Sequence, residues 1–85
     1  MSYQVTWTAV AEDELAEIWV NAPDQAAVTQ AAHRIDQLLR SNPATVGESR
    51  SPGERVLIEP PLVVSYEIIE DDKRVNVLGV RPTRG

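Results

Sequence analysis

The sequence contains no cysteine and no phenylalanine, a single histidine, and no apolar run of the roughly 20 residues that a membrane helix needs. Without cysteine there is no disulfide, no thiolate metal ligand and no thiol nucleophile, which suits a reducing cytosol. The N-terminus also lacks the basic and then apolar pattern of a signal peptide. We therefore expect an unexported, cytoplasmic protein with no membrane partner.

The 85 residues have room for one domain, expected to span residues 1–85, with a small core of valine, leucine, isoleucine, alanine and four tryptophan or tyrosine rings. The net charge of −5 disfavours binding to a polyphosphate unless the basic residues converge on one patch. Seven of the eight basic residues are arginine, whose planar guanidinium suits bidentate contact with phosphate or carboxylate.

Two helices are predicted in the first half of the chain. Thr8 and Asp24 are good N-caps, and the stretch between the helices contains Pro23, which disfavours helical geometry at the residue before it. Apolar residues repeat at helical spacing after each cap. The short connection predicts an antiparallel helical hairpin.

Strands are predicted at 3–8, 55–59, 62–69 and 74–80, the first from its alternation of apolar and polar residues. Pro60 and Pro61 separate the second strand from the third, and a polar turn separates the third from the fourth. The predicted fold class is α+β with the order β-α-α-β-β-β, in which the hairpin packs on one face of a small, mainly antiparallel sheet. The position of the first strand in the sheet stays open.

Residues 41–53 form the longest stretch without apolar periodicity. Loops of this length in a small domain are often functional, and Glu48 and Arg50 carry the charge of this one. We expect substrate or partner binding at these two residues, with a plain solvated connector as the alternative.

The remaining polar clusters predict no cofactor and no metal. His33 falls on the polar side of the second helix, as a solvated surface residue would. The acids Glu12, Asp13, Glu14 and Glu17 lie near the start of the first helix, where the helix dipole favours negative charge.

Four segments in this order resemble the RelE/ParE superfamily of toxins from type II toxin-antitoxin systems. They are residues 3–15 (YQVTWTAVAEDEL), 53–59 (GERVLIE), 62–68 (LVVSYEI) and 75–81 (VNVLGVR). The resemblance implies the β-α-α-β-β-β fold and a cognate antitoxin that docks on the helical pair or the sheet.

In the RNA-cleaving branch, the resemblance implies a ribosome-dependent mRNA endonuclease with Arg55 and Arg81 as catalytic residues that hold the scissile phosphate on the uncovered face of the sheet. Val63 stands where many relatives have a further arginine, and neither tyrosine nor histidine follows Arg81. The alternatives are a ParE-like DNA gyrase inhibitor without catalytic activity and a non-toxic relative that retains only antitoxin binding. A purely structural alternative pairs Arg55 and Arg81 with Glu48, Glu54 or Glu59.

Overall fold

The computed structural model describes residues 2–83, which form two packed helices, a short third helix and a five-stranded sheet. The helices are α1 (Ala9–Asn21), α2 (Gln25–Ser41) and α3 (Pro43–Val46). The strands are β1 (Gln4–Trp7), β2 (Glu48–Ser51), β3 (Glu54–Glu59), β4 (Leu62–Ile69) and β5 (Arg74–Pro82). The sheet order is β1-β5-β4-β3-β2, and every neighbouring pair is antiparallel except β1 and β5, which are parallel.

Both predicted helix caps are confirmed. The Thr8 hydroxyl oxygen accepts a hydrogen bond from the Ala11 N–H at 3.2 Å, and an Asp24 carboxylate oxygen accepts one from the Ala27 N–H at 3.1 Å. These bonds satisfy backbone donors that have no partner within the first turn of a helix. α1 ends at Asn21, just before Pro23, so the break also falls where the sequence predicts it.

The core lies between the helices and one face of the sheet. Leu62, Val64 and Tyr66 alternate along β4 as fully buried side chains, and their neighbours Val63 and Ser65 are only half-buried. Because successive side chains of a strand point to opposite faces, the first three lie on the helix-covered face and the other two on the open face. The α+β fold class, with a helical hairpin on one face of the sheet, is confirmed.

The structure adds three elements to the predicted order. One is a short 3-10 helix (Glu70–Asp72) within the predicted turn between β4 and β5. The segment expected to be an irregular loop contains α3, with Pro43 in its first turn, and the edge strand β2, which pairs with the start of β3. No apolar alternation marks β2, because all four of its residues are exposed and the pairing uses backbone groups alone. β1 adds in parallel beside β5, a position that the sequence left open.

No helix within residues 2–83 has the length and apolar character needed to cross a membrane.

Candidate functional site

Arg55 and Arg81, the two arginines predicted to be catalytic, lie on opposite faces of the sheet. Arg55 pairs across the strands with Tyr66, which belongs to the helix-covered face. Arg81 pairs with Val63, which belongs to the open face. Directly opposed residues on neighbouring strands share a face, so the expectation that the two guanidinium groups adjoin on the uncovered side is wrong.

Arg55 forms part of a partly buried polar cluster, which we call the Tyr66 junction and define as Pro43, Gly47, Arg55 and Tyr66. The Tyr66 hydroxyl donates to the Pro43 carbonyl at 2.6 Å and accepts from Nε of Arg55 at 3.4 Å. A terminal nitrogen of Arg55 donates to the Gly47 carbonyl. The junction therefore fastens the segment that follows α2 to β3 and β4.

Gly47 allows the backbone to approach closely at this junction. A Cβ atom at this position would stand 2.8 Å from the Val56 carbonyl oxygen and closer still to the Tyr66 hydroxyl. The carbonyl belongs to β3 and cannot rotate away, so a larger residue would have to displace the chain. This close approach is enough to explain why a glycine precedes β2.

Arg81 lines a cleft on the open face of the sheet. The second arginine of this cleft is Arg50 and not Arg55. The cleft has a volume of about 380 Å³. Its charged side chains are two arginines and two glutamates, and its floor consists of small and apolar residues of the three central strands. We call it the open-face cleft, lined by Glu14, Arg50, Glu54, Val56, Val63, Ser65, Gly79, Val80 and Arg81.

Among residues 2–83, no carboxylate oxygen lies within 4.0 Å of a guanidinium nitrogen of either cleft arginine. The three ion pairs within residues 2–83 are Arg34–Glu59, Arg40–Asp36 and Lys73–Glu70. Glu59 thus pairs with Arg34 of α2. The alternative prediction, in which Arg55 and Arg81 pair with Glu48, Glu54 or Glu59, is not met within 4.0 Å among residues 2–83. The guanidinium groups of Arg50 and Arg81 remain available to a ligand.

Glu14 enters the open-face cleft from α1 and satisfies a backbone donor of β5. β1 pairs with β5 only as far as Val77, and the register of β5 against β4 shifts between Ser65 and Tyr66. Beyond that point a carboxylate oxygen of Glu14 accepts the Val80 N–H at 2.9 Å. The side chain therefore takes the place of a strand neighbour beside Arg81.

Glu48 lies outside the open-face cleft. It lines a smaller cleft of about 220 Å³ at the β2 edge of the sheet, and Arg50 borders both clefts. Glu54 occupies the position beside Arg50 and Arg81 instead. Sequence reasoning assigned no site role to Glu54 or Glu14: strand alternation with Val56 could have placed Glu54 on the open face, whereas no local pattern connects Glu14 to β5.

A third polar cluster joins β1 to the turn between β4 and β5. Glu70 accepts hydrogen bonds from Nζ of Lys73 at 3.0 Å and from the Tyr3 hydroxyl at 2.9 Å. The bond from Lys73, followed by that from Tyr3, lowers the pKa of the Glu70 carboxyl below its usual value. All three residues are solvent-accessible, and they serve as a surface clasp.

The comparisons with known proteins agree with this architecture. The family model for the ParE toxin of type II toxin-antitoxin system, parDE, matches residues 5–85. No curated protein matches the sequence significantly.

Three solved structures share the fold at low sequence identity. The toxin-antitoxin complex RelBE2 from Mycobacterium tuberculosis superposes with a TM-score of 0.80 at 19% identity, covering 96% of this chain and 92% of that chain. The chromosomal ParDE system from P. aeruginosa gives 0.72 at 18% identity, with 96% and 97% covered. The isolated E. coli RelE toxin gives 0.69 at 16% identity, with 98% and 86% covered.

Proposed function

The chain belongs to the ParE toxin family, within the RelE/ParE superfamily of type II toxin-antitoxin systems, and we propose that it acts by binding a protein target, DNA gyrase, without cleaving RNA. In this proposal Arg50 and Arg81 contact the target from the open-face cleft. Arg55 has a structural role in the Tyr66 junction.

The observation that carries the proposal is the separation of Arg55 from Arg81. A two-arginine phosphate clamp needs both guanidinium groups on one side of the sheet, and Arg55 instead bonds to Tyr66 and to the Gly47 carbonyl on the other side. The open-face cleft sets Glu14 and Glu54 beside its two arginines. Such a balanced surface suits the mixed charges of a protein better than the uniform negative charge of RNA.

The natural regulator in this proposal is a cognate antitoxin. Two of the similar structures described above are a toxin-antitoxin complex and a toxin-antitoxin system. The family to which the chain belongs is defined by the same pairing. We expect the antitoxin to be encoded beside this gene and to raise the melting temperature of the toxin, because a ligand that binds only the folded state stabilises it.

The test measures supercoiling of relaxed plasmid by purified gyrase while the concentration of this protein is raised. We expect inhibition together with physical association, and loss of both in Arg81→Ala. The matched control is Arg40→Ala, since Arg40 pairs with Asp36 on α2, away from the cleft. Uninhibited supercoiling and no association at high protein concentration would remove the proposal.

A second candidate is mRNA cleavage at the ribosome, favoured by two arginines in one cleft that form no ion pair with any other residue of the described range 2–83. There, a water molecule would take the proton of the ribose 2′-hydroxyl while its oxygen attacks the adjacent phosphorus, and the bond to the 5′-oxygen would break as that oxygen takes a proton from water. Arg50 and Arg81 would stabilise the added negative charge. The assay is cleavage of mRNA on programmed ribosomes by the wild type, Arg81→Ala and Arg40→Ala. Intact mRNA with the wild type counts against this candidate, and overexpression without any effect on growth points to a non-toxic relative.

A further inference from the structure

β5 changes its register against β4 just before Arg81. Val77 and Gly79 pair with consecutive residues of β4, so Leu78 is an extra residue between them. Such an extra residue is a β-bulge, and bulges redirect the side chains that follow them. Strict alternation from the buried Val77 would place Arg81 on the helix-covered face, whereas after the bulge Arg81 pairs with Val63 on the open face. The bulge therefore decides whether Arg81 reaches the open-face cleft.

The outer edge of β5 loses its neighbouring strand at the same point. β1 pairs with β5 as far as Val77, and the Thr8 N–H donates to the Val77 carbonyl at 3.1 Å. Further along β5, a carboxylate oxygen of Glu14 accepts the Val80 N–H at 2.9 Å. Glu14 thus holds β5 between the bulge and Arg81.

The helix dipole does not account for Glu14. The dipole acts on charges in about the first turn of a helix, and the acid in the first turn of α1 is Glu12. Glu14 follows the fully buried Ala11 by three residues, so it lies beside the face of α1 that packs on β5. Among residues 2–83, the guanidinium group of Arg81 has no carboxylate oxygen within 4.0 Å. Any influence of Glu14 on Arg81 therefore passes through the backbone of β5.

Gly79 leaves room for the Glu14 carboxylate. A Cβ atom at position 79 would stand 3.3 Å from Oε1 of Glu14 and 3.3 Å from the Ser65 hydroxyl oxygen. Both distances are tighter than ordinary van der Waals contact, so a side chain here would displace the carboxylate slightly. The lack of a side chain at position 79 therefore helps to keep the bond to Val80 in place.

We propose that Glu14 is a positioning residue for Arg81: its carboxylate fixes β5 directly after the bulge and thereby directs the Arg81 side chain into the open-face cleft. A side chain held in its binding geometry loses less freedom when a partner binds. Residues that do not touch the ligand change affinity in this way by about twofold to thirtyfold. The inference rests on the proposed function for the role of Arg81, but the orientation of Arg81 is measurable without a target.

The test compares Glu14→Gln with Glu14→Ala in the full-length protein. The two variants have the same charge, and only glutamine retains an oxygen that accepts the Val80 N–H. Orientation is followed by the nuclear Overhauser effect between the Arg81 β protons and the Val63 methyl groups, because these residues are directly opposed. We expect Glu14→Gln to retain this signal and Glu14→Ala to lose at least about half of it, since β5 opens locally where its amide has no acceptor.

Association with gyrase supplies a second readout. Affinity should fall about fivefold in Glu14→Ala and less than about twofold in Glu14→Gln, at a temperature where circular dichroism shows both variants folded. A purely structural role would lower the stability of Glu14→Ala and leave both readouts unchanged. Asp13→Asn and Asp13→Ala are the matched controls on α1, and both should behave like the wild type.

Gly79→Ala perturbs the same bond from the other side. It should weaken the Overhauser effect in the wild type and cause no further loss in Glu14→Ala, because substitutions that act on one interaction are not additive.

Three outcomes would overturn the proposal: an unchanged Overhauser effect in Glu14→Ala, equal losses in Glu14→Gln and Glu14→Ala, or additive losses for Gly79→Ala and Glu14→Ala. The second would assign the role of Glu14 to its charge. A wild type that does not bind gyrase, but whose Overhauser effect depends on Glu14 as expected, removes the proposed function and leaves the orientation of Arg81 by Glu14 standing. Conversely, full gyrase affinity in Glu14→Ala retains the proposed function and removes the positioning role.

Discussion

The Tyr66 junction and the open-face cleft both contain arginine, but they use it in different ways. In the junction, Arg55 donates to a phenolic oxygen and a backbone carbonyl within the fold. In the cleft, Arg50 and Arg81 lie beside two glutamates without forming an ion pair within 4.0 Å. The surroundings of each arginine therefore depend on the face of the sheet that it occupies. On the helix-covered face Arg55 bonds within the fold, and on the open face Arg50 and Arg81 are exposed to a partner.

Truncation of Tyr66 should have the largest effect on the junction. Tyr66→Ala removes a fully buried ring and both of its hydrogen bonds, so we expect a loss of about 3–5 kcal/mol in the free energy of unfolding. Tyr66→Phe keeps the ring and should cost about 1–2 kcal/mol, because the Pro43 carbonyl loses its donor. Urea denaturation of the three proteins checks both values, and a neutral Tyr66→Phe would show that the hydroxyl does not fasten the junction.

Arginine substitutions test the contrast directly. Arg55→Ala should lower the free energy of unfolding by about 1–3 kcal/mol, since it leaves the Gly47 carbonyl without its donor in a partly buried setting. Arg81→Ala should change it by less than about 0.5 kcal/mol, as is usual for an exposed side chain, since Arg81 forms no ion pair with another residue between 2 and 83. Urea denaturation of the two variants measures both changes. Equal losses in the free energy of unfolding would contradict different roles for the arginines of the two faces.

Substitution of Glu14 should change the free energy of unfolding less, and its effect should be confined to the edge of the open-face cleft. Glu14→Ala leaves the Val80 N–H to water, with an expected loss of about 1 kcal/mol and faster hydrogen exchange at that amide. Glu14→Gln retains an acceptor oxygen and should largely restore protection. Asp13→Ala serves as the control, because Asp13 is a neighbouring exposed acid on α1; protection of Val80 that survives Glu14→Ala would speak against the bond.

The smallest expected effect on stability comes from the surface cluster of Tyr3, Glu70 and Lys73, because solvent screens the interactions of these exposed charges. Because the pKa of the Glu70 carboxyl is lowered in the folded protein, its contribution to stability is present above the usual carboxyl pKa and declines as pH falls through the lowered value. Glu70→Gln should make the acid limb of the stability curve slightly shallower. Thermal melts across acidic pH at low and high salt provide the measurement, and an unchanged acid limb would contradict the assignment.

The two long helices, α1 and α2, and the central strands were predictable from the sequence because their signals are local. Thr8 and Asp24 cap the helices through bonds to residues three positions away, and the predicted bounds of β4 agree with the structure. β2 was missed because all four of its residues are exposed. Its pairing with β3 therefore leaves no alternation of apolar and polar residues in the sequence. The roles of Arg50 and Arg81 in the open-face cleft stay predictions that the gyrase and ribosome assays address.

The sequence was enough to predict α1 and α2 as a hairpin, the strands β1, β3, β4 and β5, and the resemblance to a toxin superfamily, since caps, periodicity and turn residues act over a few positions. Only the tertiary structure decided which face each arginine occupies. β3 is apolar on much of both faces, so its pattern could not assign Arg55 to a side. On β5, strict alternation would have put Arg81 on the same face as the buried Val75 and Val77, and the register shift against β4 reverses that. The register between strands made that assignment, and a shift of one residue would have reversed it.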